Sequence, residues 1–287
     1  MISTGEVQRI SGILGLPPTV VDHDYVLGTY LSFLAVQPEV HRSWVFKGGT
    51  SLQKCHFGDY RFSEDLDFTI LEPITADGVK TIADRAKTSM QDSIGIRTDE
   101  EGTKIDVIDD DYGRESFEVK IYYRGPWNYG GSARSLQIHL SRDELLFFRA
   151  QQKAIIHRYS DSQILPKASV HVYSLEEILV EKLRAFSGQR KHAIARDIFD
   201  LYFISTHGVD ESGAIAAVEA KFRFKGIDLE AMVIDAVEAR KEDFRANWDN
   251  NLTYLLPDQL RVPFERAWDL SIALLKKALM RGGGRSK

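Results

Sequence analysis

The sequence predicts an α+β protein in which a mixed β-sheet with flanking helices precedes a helical C-terminal domain. Between residues 43 and 170, several short segments alternate apolar and polar residues, which is typical of half-buried strands. From Ser174 onward, apolar residues recur at helical spacing to near the C-terminus. We therefore predict an α/β domain over residues 1–170 and a helical domain over residues 171–287.

The first part of the chain is predicted to be mostly helical up to residue 41, with a break at Pro17 and Pro18. A loose apolar stripe over residues 20–36 predicts a helix that packs over the sheet. A short apolar run at residues 44–46 predicts a strand, which Gly48 and Gly49 end. Thr50 or Ser51 is predicted to cap a following helix.

The next predicted strand, residues 65–70, carries the strongest chemical signal. Alternate residues of a strand share a face, so Asp65 and Asp67 point one way while Leu66, Phe68 and Ile70 point the other. Two neighbouring carboxylates repel each other unless a cation lies between them. A glycine turn that leads into a helix offers N–H groups to an anion. A phosphate cradle beside a metal clamp suits phosphoryl or nucleotidyl transfer.

The remaining elements follow from the same periodicities. Residues 76–90 predict an amphipathic helix, and the acidic run 109–113 is interpreted as a solvated hairpin turn. Further strands are predicted at 104–108, 116–123, 134–140 and 170–173, and helices at 175–186, 192–206, 210–221, 228–245 and 258–280.

Composition limits the class of protein. The 287 residues carry a net charge of −5, so binding to nucleic acid would require a local basic face. The single cysteine, Cys55, excludes an internal disulfide and a cysteine zinc cluster, and we expect it in the core. No signal peptide and no membrane-spanning apolar run is evident, which predicts a cytoplasmic protein without membrane contact.

A second group of polar residues lies in the predicted helical domain. Lys182 falls on the apolar stripe of its helix, where it is either a snorkelling surface lysine or a cation aimed into a cleft. Asp197 also falls on an inward face, so the two could pair. Arg196 and Asp200 have the spacing of an ordinary helix ion pair.

Four runs together resemble the AbiEii/AbiGii-type nucleotidyltransferase toxins. These runs are Phe-Lys-Gly-Gly-Thr-Ser-Leu at 46–52, Arg-Phe-Ser-Glu-Asp-Leu-Asp-Phe at 61–68, Glu-Lys-Leu-Arg-Ala at 181–185 and Arg-Asp-Ile-Phe-Asp-Leu-Tyr at 196–202. The family includes the MenT toxins of mycobacteria and belongs to the DNA polymerase β-like nucleotidyltransferase superfamily. The resemblance implies a nucleotidyltransferase fold and Mg²⁺-dependent transfer of a nucleoside monophosphate from an NTP to the 3′ end of tRNA. Such transfer blocks translation, and the implied partner is a cognate antitoxin of a type IV-like system.

The resemblance also implies roles for individual residues. Gly48, Gly49 and Thr50 or Ser51 would hold the triphosphate, and Asp65 and Asp67 would bind metal and act in catalysis. Lys182 would contact the nucleotide, and Asp197 would be the acidic residue of the last motif. Ser63 matches a serine that an antitoxin kinase phosphorylates in some relatives. The implied catalytic set is therefore Asp65, Asp67, Lys182 and Asp197.

A basic set on and between the two motif helices is predicted to face the RNA backbone, with Lys182 and His192 beside Arg184, Arg190, Lys191 and Arg196. A second basic run, 221–225, is either a base-stacking surface or a solvated helix end. The third carboxylate of the superfamily stays unassigned, because the strand at 134–140 offers Gln137 and His139, and Glu118 or Asp197 are the alternatives. A nucleotidyltransferase with a non-RNA acceptor, such as an AMPylating enzyme, and a non-catalytic nucleotide- or RNA-binding relative remain competing hypotheses.

Overall fold

The structure is a computed structural model that describes residues 1–109, 115–128, 130–142, 144–189, 192–226 and 234–282. The chain divides into two compact units. The first comprises Met1–Glu144, Ala150–Val172 and Leu255–Gln259, and the second comprises Leu145–Arg149, Tyr173–Tyr254 and Leu260–Lys287.

The first unit holds a mixed seven-stranded sheet with flanking helices, as predicted. Its strands are β1 (Trp44–Lys47), β2 (Asp65–Ile70), β3 (Arg97–Asp109), β4 (Glu115–Arg124), β5 (Arg134–Ser141), β6 (Gln151–Ala154) and β7 (Ser169–Val172). They lie in the order β3-β4-β5-β2-β1-β7-β6. The β2–β5 and β1–β7 pairs are parallel, and the other neighbours are antiparallel. This order places β2, the strand with the two aspartates, at the centre of the sheet.

Within its described residues, this unit contains five α-helices. They are α1 (Thr4–Leu14), α2 (Pro18–Ala35), α3 (Pro38–Ser43), α4 (Gly48–Ser51) and α5 (Ala76–Ile94), and a π-helical turn at Leu52–His56 continues α4. Ser3 caps α1 by accepting a hydrogen bond from the Glu6 N–H at 3.1 Å, and Thr75 caps α5 through the Gly78 N–H at 3.1 Å. These caps fix where the two surface helices begin.

Helix α2 is more deeply buried than its loose stripe predicts. Every residue from Val21 to Ala35 is buried, including Asp22, His23 and Asp24. A helix that is buried on all sides carries no one-sided stripe, which explains why periodicity identified the helix and understated its burial. The three polar residues therefore need partners inside the protein.

Strand β6 was not predicted. Its sequence, Gln-Gln-Lys-Ala, has no apolar alternation, and the strand lies at the edge of the sheet with mostly exposed side chains. Its pairing with β7 uses backbone hydrogen bonds, which leave no signal in the side chains. Cys55 is buried in the core as expected, and burial raises the pKa of its thiol to about 12.

The second unit is helical, as predicted. Its helices are α6 (Leu175–Arg184), α7 (Ala195–Thr206), α8 (Glu211–Phe224), α9 (Ile234–Glu238), α10 (Lys241–Asn251) and α11 (Phe264–Gly282). The helix predicted at 228–245 is instead α9 followed by α10, and its first residues lie outside the described part of the chain. Among the described residues, no helix combines the length and the apolar character needed to cross a membrane.

A buried lysine organises part of this helical unit. Lys221 on α8 is fully buried, and its ammonium lies 2.6 Å from Glu177 and 2.7 Å from Glu181. Glu177 also accepts hydrogen bonds from the backbone N–H groups of Phe147 and Phe148, both at 2.8 Å. Both interpretations of run 221–225, base stacking and a solvated helix end, are therefore wrong for Lys221. Its role in the fold is to neutralise two glutamates and hold a neighbouring segment.

Candidate active site

The glycine turn after β1 is shaped by its position beside Asp67. Gly48 has φ +78°, a conformation that favours glycine, and a Cβ there would lie 2.4 Å from Asp67 Oδ2. Helix α4 begins directly at Gly48, with Lys47 at the N-cap. The turn therefore brings backbone N–H groups of a helix start close to one of the two aspartates.

Thr50 and Ser51 lie inside α4, so the prediction that one of them caps a following helix is wrong. The positive φ of Gly48 lets the helix start two residues earlier than the predicted cap. Both side chains are fully buried. The Thr50 hydroxyl donates to the backbone carbonyl of Asp65, and the Ser51 hydroxyl donates to that of Gly48 at 2.8 Å. Thr50 thus ties the turn to the aspartate strand.

Asp65 and Asp67 share the polar face of β2 as predicted, and both are half-buried. Leu66, Phe68 and Ile70 belong to the hydrophobic core behind them. In the parallel pairing with β5, Asp67 faces His139. The His139 Nδ1 lies 3.2 Å from Asp67 Oδ1, and this hydrogen bond, opposed by partial burial, raises the pKa of the imidazole.

The neighbouring strand β5 therefore presents a histidine, and not a carboxylate, opposite Asp67. Glu118 on β4 faces His139 from the next strand along, and its carboxylate lies 2.7 Å from the Lys120 ammonium. That contact lowers the pKa of Glu118. Among the described residues, no group of three or more histidine, cysteine, aspartate or glutamate side chains is arranged to hold a metal ion. The assignment of Asp65 and Asp67 as metal ligands stays a prediction.

Sequence reasoning did not assign a role to Lys47 or Arg61. The Lys47 ammonium donates to the Ser141 hydroxyl and lies 3.6 Å from Glu144. The Arg61 side chain is almost fully buried, and a Cβ on Gly49 would collide with its guanidinium. Their places in the sequence, directly before Gly-Gly and four residues before Asp65, were the available signals. Both cations lie next to the turn that is predicted to hold phosphates.

Ser63 lies in the segment that leads into β2, and its side chain is buried with 8% exposure. The flanking backbone is fixed on both sides. The Phe62 N–H donates to Leu255 at 2.8 Å, and the Glu64 carbonyl oxygen lies 2.8 Å from His23 Nε2. A kinase would need this segment to open before it could reach the hydroxyl.

In the second unit, Lys182 and Asp197 form an ion pair. The Lys182 ammonium lies 2.6 Å from Asp197 and 2.8 Å from Asp200, and its side chain is only 14% exposed. Asp200 is thus a partner of Lys182. Its spacing in the sequence indicated only an ordinary helix ion pair with Arg196. One ammonium group therefore bridges two buried carboxylates.

The residues that are predicted to face RNA differ in how exposed they are. Arg184 is largely buried, with 11% of its side chain exposed, and lies 3.0 Å from Glu181. Arg196 is half-buried on α7, and His192 is exposed. Arg190 and Lys191 lie outside the described residues. The RNA-binding roles of these residues stay predictions.

Solved structures share the fold of the whole chain. JHP933 from Helicobacter pylori has a TM-score of 0.55 at 20% identity, over 93% of this chain and 96% of that one. A putative nucleotidyltransferase from H. pylori gives 0.54 at 22% identity, over 93% and 98%. MenT4, a nucleotidyltransferase toxin from Mycobacterium tuberculosis, gives 0.51 at 20% identity, over 98% and 99%. The fold is therefore that of nucleotidyltransferase toxins.

The family follows from the sequence itself. Residues 32–273 match the family described as nucleotidyl transferase AbiEii toxin, type IV toxin–antitoxin system. None of the curated proteins compared with this chain matches it. The chain belongs to the AbiEii family, and it is a nucleotidyltransferase toxin of a type IV toxin–antitoxin system.

Proposed function

We propose that the protein transfers a nucleoside monophosphate from an NTP to the 3′ end of tRNA, with Mg²⁺ as cofactor, and so blocks translation. The observation that carries this proposal is the pair Asp65 and Asp67 on one face of β2, directly beside the Gly48 turn. An RNA 3′ hydroxyl is a weak nucleophile, so its attack on an NTP needs a triphosphate held in place and a cation that would lower the pKa of the hydroxyl.

The residues present suit Mg²⁺. Magnesium prefers oxygen ligands, and proteins commonly hold it through one or two carboxylates, with waters and substrate phosphates completing the octahedron. Two half-buried aspartates, with no group of three acidic or histidine ligands among the described residues, match that ligand set. When bound, the ion would neutralise phosphate charge and lower the pKa of the attacking hydroxyl.

The chain's own groups would do the rest. Backbone N–H groups at Gly48 and Gly49 would hold the β- and γ-phosphates, since the hydroxyls of Thr50 and Ser51 are already donated within the protein. Lys182 would contact the nucleotide and neutralise charge on the departing pyrophosphate, and Asp197 would position the lysine through their 2.6 Å ion pair.

RNA would contact the basic set Arg184, Arg190, Lys191 and Arg196. Because the protein is acidic overall, with a net charge of −5, this contact must be local and should weaken as salt concentration rises. The protein would act in the cytoplasm, where NTPs and tRNA are available.

The antitoxin partner could act at Ser63. A phosphate there would add about −1.5 to −2 charges beside Asp65 and Asp67, which would disfavour the metal and the triphosphate. The buried position of Ser63 means that this modification requires local opening.

The test is to express wild-type, Asp65→Ala, Asp67→Ala and Asp106→Ala proteins and to sequence the 3′ ends of cellular RNA. Asp106 is an exposed carboxylate on β3 and serves as the control. We expect added nucleotides on tRNA with wild type and Asp106→Ala, and none with the other two. Unchanged addition by Asp65→Ala or Asp67→Ala would contradict the metal-ligand assignment.

The acceptor is tested separately, with labelled NTPs, total RNA and purified protein in the presence and absence of Mg²⁺. Label on a protein or small molecule would replace tRNA with a non-RNA acceptor. A lack of turnover with all four NTPs would favour a non-catalytic relative.

A further inference from the structure

The two oxygens of the Asp67 carboxylate face different neighbours. Oδ1 lies 3.2 Å from Nδ1 of His139 on β5. Oδ2 is the oxygen on the side of the glycine turn, because it is the atom that a Cβ on Gly48 would approach most closely, at 2.4 Å. The rotation of this carboxylate therefore decides which oxygen faces the phosphates that the turn is proposed to hold.

The direction of the hydrogen bond follows from the chemistry of the two groups. An ionised carboxylate only accepts hydrogen bonds, so Nδ1 of His139 carries the proton and donates to Oδ1 of Asp67. The neutral Nδ1–H tautomer and the imidazolium both provide this donor, so the contact requires no change of charge. An N–H group directed at one oxygen favours one rotation of the whole carboxylate.

Strand β5 fixes the place of this donor. His139 is the register partner of Asp67 in the parallel β2–β5 pair. Its neighbours in the strand, Ile138 and Leu140, are buried in the core. A shift of β5 by one residue would turn both of them to the polar face, so the strand is held in this register. A donor on such a strand is placed more precisely than one on a loop.

The contact lies where a cation can reach the carboxylate. The side chains of His139 and Asp67 are 40% and 33% exposed. Asp65 lies on the same face of β2, and its negative charge repels that of Asp67. A donor fixed on Asp67 offsets part of this repulsion and keeps the carboxylate from turning away from its neighbour.

Carboxylates that bind metal ions are commonly held by a hydrogen bond from a residue outside the metal's own ligands. Loss of such a partner typically lowers metal affinity or activity by about 10–100-fold. Direct binding of the imidazole to Mg²⁺ is the alternative role for His139. It suits the ion less well, because magnesium prefers oxygen ligands.

We propose that His139 is a positioning residue of the metal site, which holds Asp67 through Oδ1 so that Oδ2 meets the cation on the side of the Gly48 turn. This inference rests on the proposed function, in which Asp67 binds Mg²⁺. The imidazole acts through Asp67 and is not itself a metal ligand.

The test is titration of the full chain with Mn²⁺, which suits the same oxygen ligands and is detected by electron paramagnetic resonance. His139→Leu removes the donor and should weaken Mn²⁺ binding by about 10–100-fold. His139→Asn should recover most of the affinity, because the amide nitrogen of asparagine lies as many bonds from Cα as Nδ1 does. Melting curves of both variants should match that of wild type, since His139 is 40% exposed.

The control is His171→Leu, which changes another half-buried histidine of the same sheet. His171 lies on β7, two strands away from β2, and pairs with Val45. This variant should bind Mn²⁺ as wild type does. In transfer assays, His139→Leu should need about 10–100-fold more Mg²⁺ for its half-maximal rate, and saturating Mg²⁺ should restore most of that rate.

Three results would overturn the role of His139. They are equal Mn²⁺ binding by His139→Leu and wild type, binding by His139→Asn as weak as that of His139→Leu, and a pulsed-resonance signal from an imidazole nitrogen bound to Mn²⁺ in wild type.

Asp67→Ala separates this proposal from the proposed function. If Asp67→Ala binds Mn²⁺ as wild type does, the assignment of Asp67 as a metal ligand fails, and the role of His139 fails with it. If Asp67→Ala loses Mn²⁺ while His139→Leu keeps it, the metal assignment stands and only the role of His139 is wrong.

Discussion

Replacing Gly48 by alanine tests whether the glycine at this turn is needed to keep the Asp67 carboxylate in its position on β2. Gly48→Ala adds one methyl group at φ +78°, next to Asp67. The substitution has two effects that the structure separates. One is backbone strain, and the other is a collision with a carboxylate that is proposed to bind metal.

The magnitude of the collision follows from the distances. The new Cβ would lie 2.4 Å from Asp67 Oδ2, and real Cβ contacts are not closer than 3.0 Å, so the oxygen must move by at least 0.6 Å, the difference between the two. The Cγ and Cβ atoms of Asp67 are also tight, at 3.2 and 3.3 Å, so the carboxylate cannot simply rotate away. Metal–ligand distances tolerate deviations of about 0.2 Å, and a misplacement of reacting groups by about 1 Å can lower the rate roughly 100-fold. We expect transfer to fall by about 100-fold.

The backbone strain alone is measured by a matched control variant, Gly95→Ala. Gly95 ends α5 with the same φ of +78°, and a Cβ there meets nothing within 4 Å. Both alanine variants should lose about 1–2 kcal/mol of unfolding free energy from the left-handed backbone. Only Gly48→Ala should lose transfer of labelled nucleotide to RNA. If Gly48→Ala transfers as fast as Gly95→Ala, the geometric argument for the turn is refuted.

Three further predictions concern buried or partly buried charges. Lys182→Met removes the ammonium that bridges Asp197 and Asp200 and should lower the unfolding free energy in urea by about 3–5 kcal/mol, a loss that adding Asp197→Asn should reduce; an unchanged urea midpoint would contradict a structural role for the pair. Burial raises the pKa of Asp84, but hydrogen bonds from neighbouring lysine and threonine side chains outweigh it and hold this pKa at about 2. Its stabilisation is therefore present above the usual pKa near 3.8 and is lost as pH falls toward 2, so melting curves of Asp84→Asn and wild type should differ at pH 7 and converge near pH 2. Lys221→Met removes the buried cation that Glu177 and Glu181 share and should cost about 3–5 kcal/mol, whereas Arg223→Met, in a mostly exposed pair, should cost less than about 1 kcal/mol in the same denaturation experiment.

The parts of the fold that periodicity predicted are those with one buried face. Strand β2 alternates aspartates with Leu66, Phe68 and Ile70, and α5 carries an apolar stripe. In each element the pattern therefore predicts which face is buried. Strand β6 has no buried face and α2 has no exposed one. In both, the side chains lack the contrast on which periodicity depends.

The sequence predicted which residues belong to the candidate site, but it did not predict which of them contact one another. The sequence places Asp65 and Asp67 on one face because that spacing is local. It does not reveal that His139 lies opposite Asp67, because that contact depends on parallel pairing between distant strands. The same holds for Asp24 and Lys54, thirty residues apart, which form a buried ion pair. Long-range pairing decides which polar residues meet.

The chain enters and leaves each unit several times, and this limits how the gene can be shortened. Leu255–Gln259 belongs to the first unit although its neighbours on both sides belong to the second. Leu255 is fully buried in the first unit's core, and its carbonyl oxygen accepts the Phe62 N–H just before Ser63. A nonsense mutation between codons 71 and 255 would thus keep both aspartates of β2 but remove the Leu255 carbonyl that accepts the Phe62 N–H. Supplying the missing C-terminal portion as a separate polypeptide should restore that contact by fragment complementation.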